Sequence, residues 1–458
     1  MDTSIKICLL VCAFAAIREF RPIEPFITEY LTGPDVGFTE EEVVQKIFII
    51  WSYSSFVLIV IIFLITDYLR YKPIIIADGI TGILTYALLL GKPSILTMQI
   101  EQCFFGFFYS SDTAYYTYMY AKIEDKSLYN RITGYVRSAV LFGKFCSAFA
   151  SQLFVSFGDE SSRRYLVYLS VGGMSLTTIL AFFFPPVKKS LYFHRQNEFD
   201  PITSQNVNQY GASTTQICAT ASSASEISVS TDNFSTIPKD KKKPSLKTVC
   251  RYLLTDFKTS FSNRHVIEWA VWWSVAAAGS YQVLTYNQVI WKTAIKENYH
   301  NDMKSLNGIV DCIYSLLSAI ASYHVGKIDV NWTKHSNLLL TVGSALVGVV
   351  VMFTSFLANL WLLYLCHIMF GLMFHTMLTI AEFEIAKHVK ETCYGLVFGF
   401  INFIAICIST LWTALIVQDT FFSFDIRRQF EFCGLYFLAI GLFYLLRALN
   451  NLIMRCLK

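Results

Sequence analysis

Charged residues are scarce in this sequence. Asp, Glu, Lys and Arg make up 15% of its 458 residues, whereas ordinary soluble domains contain about 25%. Hydrophobic residues reach 54% and the mean hydropathy is +0.46, so the chain has more apolar surface than a soluble fold can bury. The composition excludes a secreted, a disordered or a nucleic-acid-binding protein, and it predicts a lipid bilayer as the surroundings.

Motifs for catalysis and for cofactor binding are also missing. The net charge is only +4, which is too small to predict a polyanionic partner such as a nucleic acid. The twelve cysteines lie mostly in apolar stretches without metal-ligand spacing, a pattern typical of buried thiols. No nucleophile with a paired base, phosphate loop or metal cluster is recognisable. The sequence therefore predicts neither an enzyme nor a cofactor.

Long apolar stretches, in contrast, are abundant. A stretch of about 20 apolar residues is long enough to span a membrane as a helix. Residues 7–17 are followed at once by charged residues, so we expect them to stay in the first helix rather than form a signal peptide. The predicted spans are 6–31, 43–66, 73–91, 95–121, 132–157 and 165–186, then 265–290, 305–326, 337–357, 360–386, 393–417 and 429–452.

This order of six spans, a gap and six spans predicts an all-α membrane protein of the major facilitator superfamily with 12 transmembrane helices. The N-terminal six-helix half would be residues 1–186 and the C-terminal half residues 263–458, enclosing one central site. Residues 187–262 would form a cytoplasmic, largely disordered central loop, because their middle is rich in Ser and Thr.

Basic residues set the predicted orientation. They recur in the loops between spans 2–3, 4–5, 6–7, 8–9 and 10–11, and such loops usually face the cytoplasm. Both termini and the central loop should therefore be cytoplasmic. The two glycosylation sequons, at Asn233 and Asn331, should then remain unmodified.

Acidic residues within the spans indicate a substrate site, because intramembrane charges are costly and usually functional. Glu24 lies between Pro22 and Pro25, which should break or kink the first helix, as in helices that line transport cavities. A plain ion pair of Glu24 with Arg18 or Arg21 is the alternative interpretation.

Asp112 in the fourth span is followed by tyrosines. Tyr115 and Tyr116 stand at i+3 and i+4, so the three side chains share one helix face. A carboxylate beside phenol rings suits an organic cation, although tyrosines alone are more often packing residues. Phe48 and Trp51 predict a second aromatic wall or, alternatively, an interfacial belt.

Further charges complete the predicted cavity and its gates. Asp311 adds an acid in the eighth span, whereas Arg137 and Lys144 are the bases noted in span five. We therefore expect a cavity that is rich in acids, poor in bases and suited to a cation. His367 and His375 are interpreted as core histidines. The residues assigned to gates or structural ion pairs are Asp67, Arg70, Lys72, Arg137, Glu382 and Glu384.

Motifs in the same order as those of a known family cover nearly the whole chain outside the central loop. They include REFRPIEPFITEYLTGPD (18–35), TDYLRYKP (66–73), AYYTYMY (114–120), RITGYVRSA (131–139), KKSLYFHR (188–195) and YGLVFGFINFIA (394–405). These stretches resemble solute carrier family 19, the reduced folate carrier and thiamine transporters. The resemblance implies a plasma-membrane vitamin carrier that works by alternating access.

The resemblance also implies which vitamin is carried. Folate carriers of this family use an arginine in helix 10 and a lysine in helix 11, where this chain has Gly371 and Thr410. Where thiamine carriers use an asparagine in helix 7, this chain has Thr285. The remaining thiamine-site positions fall on Glu24, Phe48, Trp51, Asp112, Tyr115 and Asp311.

The sequence thus predicts an inward carrier of thiamine or a thiamine-like organic cation. A folate carrier and a nutrient receptor that binds without translocating are the alternatives. The predicted substrate-binding residues are Glu24, Phe48, Trp51, Asp112, Tyr115, Tyr116, Thr285 and Asp311.

Overall fold

The computed structural model describes residues 3–122, 129–158, 162–187, 246–298, 305–325, 332–390, 393–418, 422 and 424–456. Helices account for nearly all of these residues, and no strand occurs among them. Most of the predicted central loop, including Asn233, lies outside the described residues, as does Asn331. The disorder predicted for that loop stays a prediction.

The first half contains eight helices in the described ranges. They are α1 (Thr3–Arg18), α2 (Ile27–Thr32), α3 (Glu40–Tyr68), α4 (Lys72–Ala87), α5 (Ile95–Ser110), α6 (Asp112–Lys122), α7 (Tyr129–Phe157) and α8 (Ser162–Phe182).

The second half follows the central loop. Its helices are α9 (Leu246–Ser260), α10 (Arg264–Asn298), α11 (Asn307–Val325), α12 (Trp332–Phe356), α13 (Leu360–His388), α14 (Tyr394–Val417) and α15 (Ile426–Cys456). The first of these, α9, falls inside the range 187–262, so the predicted loop ends in a helix.

Eight helices of the described chain are long and apolar enough to cross a membrane. The helices α1, α4 and α5 have 16 residues each, which is short of the usual spanning length. The multi-pass character is therefore clear, whereas the count of twelve spans stays a prediction.

Two of the predicted spans, the first and the fourth, are broken in the structure. The first break was expected from Pro22 and Pro25: α1 ends at Arg18, and Pro25 then begins a 3₁₀ turn that leads into α2. The second break, between α5 and α6, was not predicted. There the Phe108 carbonyl accepts hydrogen bonds from Arg18 Nη2 (2.6 Å) and from the Ser111 hydroxyl (2.8 Å). These side chains compete for a backbone acceptor that would otherwise serve the helix.

The two halves meet along two helix pairs, α7 with α11 and α3 with α14. Glycine permits a close approach in the first pair, since a Cβ on Gly308 would lie 2.9 Å from the Ala148 carbonyl oxygen. Within the first half, Gly143 of α7 similarly lies against the backbone of Ala16 in α1. The centre of α7 is therefore fixed against both α1 and the second half.

Two ends of the bundle can be distinguished. At the end that we call the linker end, Lys72 at the start of α4 donates to the carbonyl of Phe182, which ends α8 (2.8 Å). At the opposite end, the far end, polar contacts join the halves. Gln288 of α10 bonds to the Thr28 amide (3.1 Å) and the Glu24 carbonyl (2.7 Å), and Asn307 of α11 donates to Glu29 (3.2 Å).

Candidate functional site

A cluster of charged side chains lies where α1 breaks, and we call it the central ion cluster. Its acids come from the α1 break, α4 and α6, and its bases from the α1 break and α7. Its members are Arg18, Glu19, Arg21, Glu24, Asp78, Asp112 and Lys144.

Arg18 is the most completely bonded member of this cluster. Its Nε and Nη2 donate to the two carboxylate oxygens of Asp78 (2.8 and 2.9 Å), and Nη2 also donates to the Phe108 carbonyl. Its Nη1 pairs with Glu19 (3.4 Å) and with Asp112. The guanidinium carbon lies 3.8 Å from the centre of the Phe108 ring. Such bidentate geometry is the strongest that arginine makes with a carboxylate.

Arg21 links two further acids. It bonds to Glu19 Oε2 at 2.5 Å and to Glu24 Oε1 at 2.8 Å, and the Tyr86 hydroxyl donates to the same oxygen of Glu24 (2.8 Å). Lys144 approaches Glu19 from α7, at 3.8 Å. The structure therefore shows the ion pair of Glu24 with Arg21 that was the alternative interpretation of this residue.

The expectation of a cavity poor in bases is wrong for the first half. Arg18 and Arg21 lie inside the bundle because the chain breaks after Arg18 and carries both side chains inward. Four acids and three bases form the cluster, which leaves one net negative charge (−4 + 3 = −1).

Two carboxylates of the cluster keep an open side. The side chain of Glu24 is 38% exposed and that of Asp112 is 36% exposed, whereas Arg18 is only 2% exposed. Each acid is thus held by an arginine on one side and accessible on the other. The local arrangement can present negative charge to a ligand without leaving an unpaired charge buried.

Aromatic rings meet at the seam between the halves. Trp51 of α3 packs edge-on against Tyr109 of α5 (5.4 Å between ring centres) and Tyr281 of α10 (6.0 Å), and the two tyrosines are 5.9 Å apart. The indole Nε1 is buried without a hydrogen-bond partner in the described ranges. Phe48 faces Tyr286 of α10 at 6.5 Å. Sequence reasoning identified Trp51 and Phe48 but missed both Tyr109 and Tyr281.

The predicted tyrosines of α6 are packed more tightly than expected. Tyr115 is 2% exposed, stacks on Tyr116 (4.5 Å between ring centres) and contacts Phe14 of α1 (5.6 Å). Its ring also lies 5.7 Å from the Arg18 guanidinium. These contacts leave the Tyr115 ring little surface for a ligand.

The second half contributes a separate polar group. Asp311 of α11 lies 3.6 Å from His367 of α13, which is also 3.4 Å from the Asn287 amide of α10. His367 is buried, as expected of a core histidine. Thr285 of α10 is half-buried, one turn from Tyr281.

The second core histidine of α13 belongs to a different contact. His375 Nε2 lies 2.6 Å from the Tyr314 hydroxyl of α11. Its other ring nitrogen, Nδ1, is buried and finds no partner in the described part of the chain.

The residues assigned to gates occupy the linker end. Arg137 of α7 pairs with Glu382 of α13 at 2.5 Å, which joins the two halves. Glu384 is fully buried and pairs with Lys387 of its own helix. The turn between α3 and α4 holds Arg70 at φ +61° and brings the Tyr71 hydroxyl to Asp67 (2.9 Å).

The two folate-carrier positions are filled by packing contacts. Any Cβ at Gly371 would overlap the ring of Tyr314. Thr410 donates to the Ser52 carbonyl across the α3–α14 seam (3.1 Å). Across the described ranges, no group of three or more His, Cys, Asp or Glu side chains is arranged to hold a metal ion.

Comparisons with known proteins identify the family of this chain. The family model for the reduced folate carrier matches residues 3–432. Human thiamine transporter 1 is 32% identical over 98% of this chain and 90% of its own length, and human thiamine transporter 2 is 33% identical over 96% and 89%. Folate transporter 1 of Caenorhabditis elegans is 30% identical over 94% and 89%.

The fold was compared with solved structures. The nucleoside transporter NupG superposes with a TM-score of 0.56 at 10% identity, covering 97% of this chain and 98% of its own. That likeness concerns the fold alone, and it confirms the predicted all-α fold. The match over nearly the full length places this chain in the reduced folate carrier family, whose members are membrane transporters rather than enzymes.

Proposed function

We propose that this protein carries thiamine, or an organic cation like it, across a membrane by alternating access. The observation that carries the proposal is the pair of half-open carboxylates, Glu24 and Asp112, beside the seam between the halves. Each can meet a cation from its open side while an arginine holds it from the other.

The charge of the central ion cluster favours a single positive charge on the substrate. Its net charge of −1 would be neutralised by one thiazolium ring, which cannot lose its charge on entering a dry site. A fixed cation therefore needs a buried acid, because an unpaired charge in a low-dielectric interior is costly.

The neighbouring rings fit an aromatic cation. Tyr109 lies three residues before Asp112 in the chain, and both Tyr109 and Tyr281 contact Trp51. We assign these three rings to the aromatic groups of the substrate, in place of the buried Tyr115. Asp112 would pair with the thiazolium and Glu24 would accept hydrogen bonds from the aminopyrimidine. Cation–π attraction would add to the charge pairing.

The similarity of this chain to the human thiamine transporters, over nearly its whole length, also supports thiamine as the substrate. Folate is the second candidate, because the first half holds Arg18, Arg21 and Lys144, and a folate transporter is also similar. The two arginines are bound by acids of the chain itself, so we favour the cation.

Vesicles containing the purified full-length protein distinguish the candidates. We expect saturable uptake of labelled thiamine that excess unlabelled thiamine abolishes and excess folate leaves intact. Uptake of labelled folate that thiamine does not inhibit would establish the alternative. Binding of thiamine without accumulation inside sealed vesicles would indicate a receptor.

We further propose that the carrier lies in the plasma membrane with its linker end in the cytoplasm. The support is the distribution of basic residues in the loops at that end. Rocking of the halves about the central ion cluster would then expose Glu24 and Asp112 alternately to each side.

A further inference from the structure

The outward face of α9 carries a row of bases. Lys247, Arg251 and Lys258 are all exposed. Leu254 stands between the last two with 60% of its surface exposed. The successive spacings of four, three and four residues place these side chains on one face of the helix. We call the four residues the basic stripe. Three charges and one large apolar side chain therefore point away from the bundle.

The opposite face of α9 is turned toward the protein. Val249 is fully buried and Ser260 is 5% exposed. Each stands two residues from a base of the stripe, which in an α-helix is the opposite side. Phe257 packs edge-on against Phe400 of α14 (4.8 Å between ring centres), and Phe261, just after α9, contacts the same ring (5.5 Å). The bundle thus holds one face of α9 and leaves the stripe outside.

The bases of the stripe are not paired within the described ranges. Their side chains make no ion pair or hydrogen bond with any residue of those ranges. The acid of the same helix, Asp256, stands two residues from Lys258 and therefore projects from the opposite side. The stripe keeps three positive charges available to an anion outside the bundle.

The contact with Phe400 fixes where α9 lies along the bundle. Residues Tyr394–Val417 form one of the candidate membrane spans. Phe400 comes six residues after the start of that span, which is about 9 Å along the helix axis. Because α14 begins at the linker end, α9 packs against the bundle within two turns of the end of a candidate span.

We propose that the basic stripe binds the headgroups of anionic lipids, such as phosphatidylserine, at the membrane surface beside the linker end. Leu254 would enter the acyl-chain region while the longer basic side chains reach the headgroups. Basic residues beside a spanning segment are attracted to such a surface. This inference concerns the lipid around the carrier and does not depend on which substrate is carried.

The experiment measures lipid binding by the purified full-length protein in detergent micelles. The thermal unfolding midpoint is followed while phosphatidylserine, phosphatidylcholine or soluble glycerophosphoserine is added. Phosphatidylcholine lacks the net charge and glycerophosphoserine lacks the acyl chains, so the three probes separate charge from attachment to the apolar phase. The stripe variant carries Lys247→Gln, Arg251→Gln and Lys258→Gln.

A matched control removes the same number of charges at the far end. It carries Lys92→Gln, Lys296→Gln and Arg428→Gln, which are again two lysines and one arginine, all exposed. Two further variants, Arg251→Gln and Arg251→Lys, test a single position of the stripe without and with its charge.

We expect phosphatidylserine to raise the unfolding midpoint of the wild type, whereas equal amounts of the other two probes have little effect. Each base removed should raise the phosphatidylserine concentration needed for half of this rise about fivefold. The stripe variant should therefore need on the order of 100-fold more lipid. The far-end control should behave as the wild type. Added salt should weaken wild-type binding, because it screens exposed charges.

The inference is overturned if phosphatidylserine stabilises the wild type no more than phosphatidylcholine does, or if the stripe variant keeps the preference. Equal stabilisation by glycerophosphoserine would indicate a site for a soluble anion and would also contradict a lipid-binding surface. Should the stripe variant fail to fold, the comparison of Arg251→Gln with Arg251→Lys decides, because only the first should lose affinity. None of these measurements involves the transported substrate, so failure of the proposed function would leave their outcome unchanged.

Discussion

Asp112 is bound by Arg18 on one side and open on the other, and this sets how much its charge contributes to binding. Asp112→Asn is nearly isosteric and retains an oxygen for Arg18. We expect thiamine affinity to fall by about 2 kcal/mol, the low end for truncating one partner of a buried charge pair, which is roughly 30-fold. The change in affinity is measured from uptake over a range of thiamine concentrations, with both proteins expressed at the same level on the cell surface. Asp425→Asn, at an exposed pair, is the control, and unchanged affinity in Asp112→Asn would remove Asp112 from the site.

Arg18 and Asp78 should matter more for stability than for transport. Asp78 is 1% exposed, so Arg18→Met would leave its carboxylate buried without a base and cost about 3–5 kcal/mol. Arg18→Met combined with Asp78→Asn removes both charges of the pair and should recover part of that loss, since Glu19 and Asp112 still lose their contact with Arg18. Thermal unfolding of the purified variants measures both effects. A double variant no more stable than the single one would show that the pair is not the source of the loss.

The individual charges were only partly predictable. Glu24, Asp112 and Asp311 were recognised because each is an acid in an apolar span. The same rule applied to Asp78 and Glu101, which lie in predicted spans and are buried, would have identified them too. This rule does not predict the ion-pair partners of these acids. Arg18 and Asp78 are 60 positions apart in the chain, and helical periodicity predicts which residues share a face but not which other helix that face contacts.

The helices themselves followed the apolar pattern closely, and the exceptions have local causes. Pro22 and Pro25 predict the break after α1, because proline lacks an N–H and clashes with the preceding turn. The break between α5 and α6 has no such residue; it depends on Arg18 reaching the Phe108 carbonyl from another helix. The residues around Ser111 alone therefore do not predict this contact.

The packing of α11 against α13 makes one obvious substitution, an arginine at Gly371, uninformative about substrate charge. The resemblance to folate carriers suggests adding an arginine at Gly371, yet a side chain there would displace the Tyr314 ring and, through it, His375. Such a variant would report a disrupted α11–α13 contact rather than a change in substrate charge. The close approach of these two helices is invisible in a single sequence.

The stretch between the halves should be separable into a dispensable and an essential part. Deleting residues 200–243 should leave uptake intact, because their Ser- and Thr-rich composition cannot form a core. Deleting Leu246–Ser260 should abolish it, because Phe257 packs edge-on against Phe400 of α14 (4.8 Å between ring centres). Uptake by surface-expressed variants measures both. Loss of transport on deleting only 200–243, at normal surface level, would contradict the assignment.

The orientation of the bundle has a direct test at Asn331. With the linker end in the cytoplasm, the sequons at Asn233 and Asn331 face away from the glycosylation machinery and should stay unmodified. Electrophoretic mobility before and after glycosidase treatment of the expressed protein measures this. A glycosidase-sensitive shift that disappears in Asn331→Gln would reverse the proposed orientation, and Asn233→Gln provides the same test on the central loop.

The pair of Arg137 and Glu382 joins the halves at the linker end, so it must open whenever that end opens. Its side chains are 18% and 15% exposed, and a partly buried pair of this kind contributes more than an exposed one. Glu382→Gln should therefore favour the form open at the linker end by about 1–2 kcal/mol, a shift of roughly 5- to 30-fold in that equilibrium. Maximal uptake rate should change more than thiamine affinity, because neither residue belongs to the central ion cluster.

A double variant with the two charges exchanged and a control substitution at another ion pair make this test specific. Arg137→Glu together with Glu382→Arg recreates the contact with opposite polarity and should return the rate toward the wild type, whereas either reversal alone brings like charges together. Glu268→Gln is the control, because Glu268 pairs with Arg447 within the second half (3.2 Å) and its loss does not bias one half against the other. Initial rates over a range of thiamine concentrations separate rate from affinity. If Glu382→Gln alters affinity alone, or if Glu268→Gln changes the rate equally, the pair does not act between the halves and the linker end must be held by other contacts.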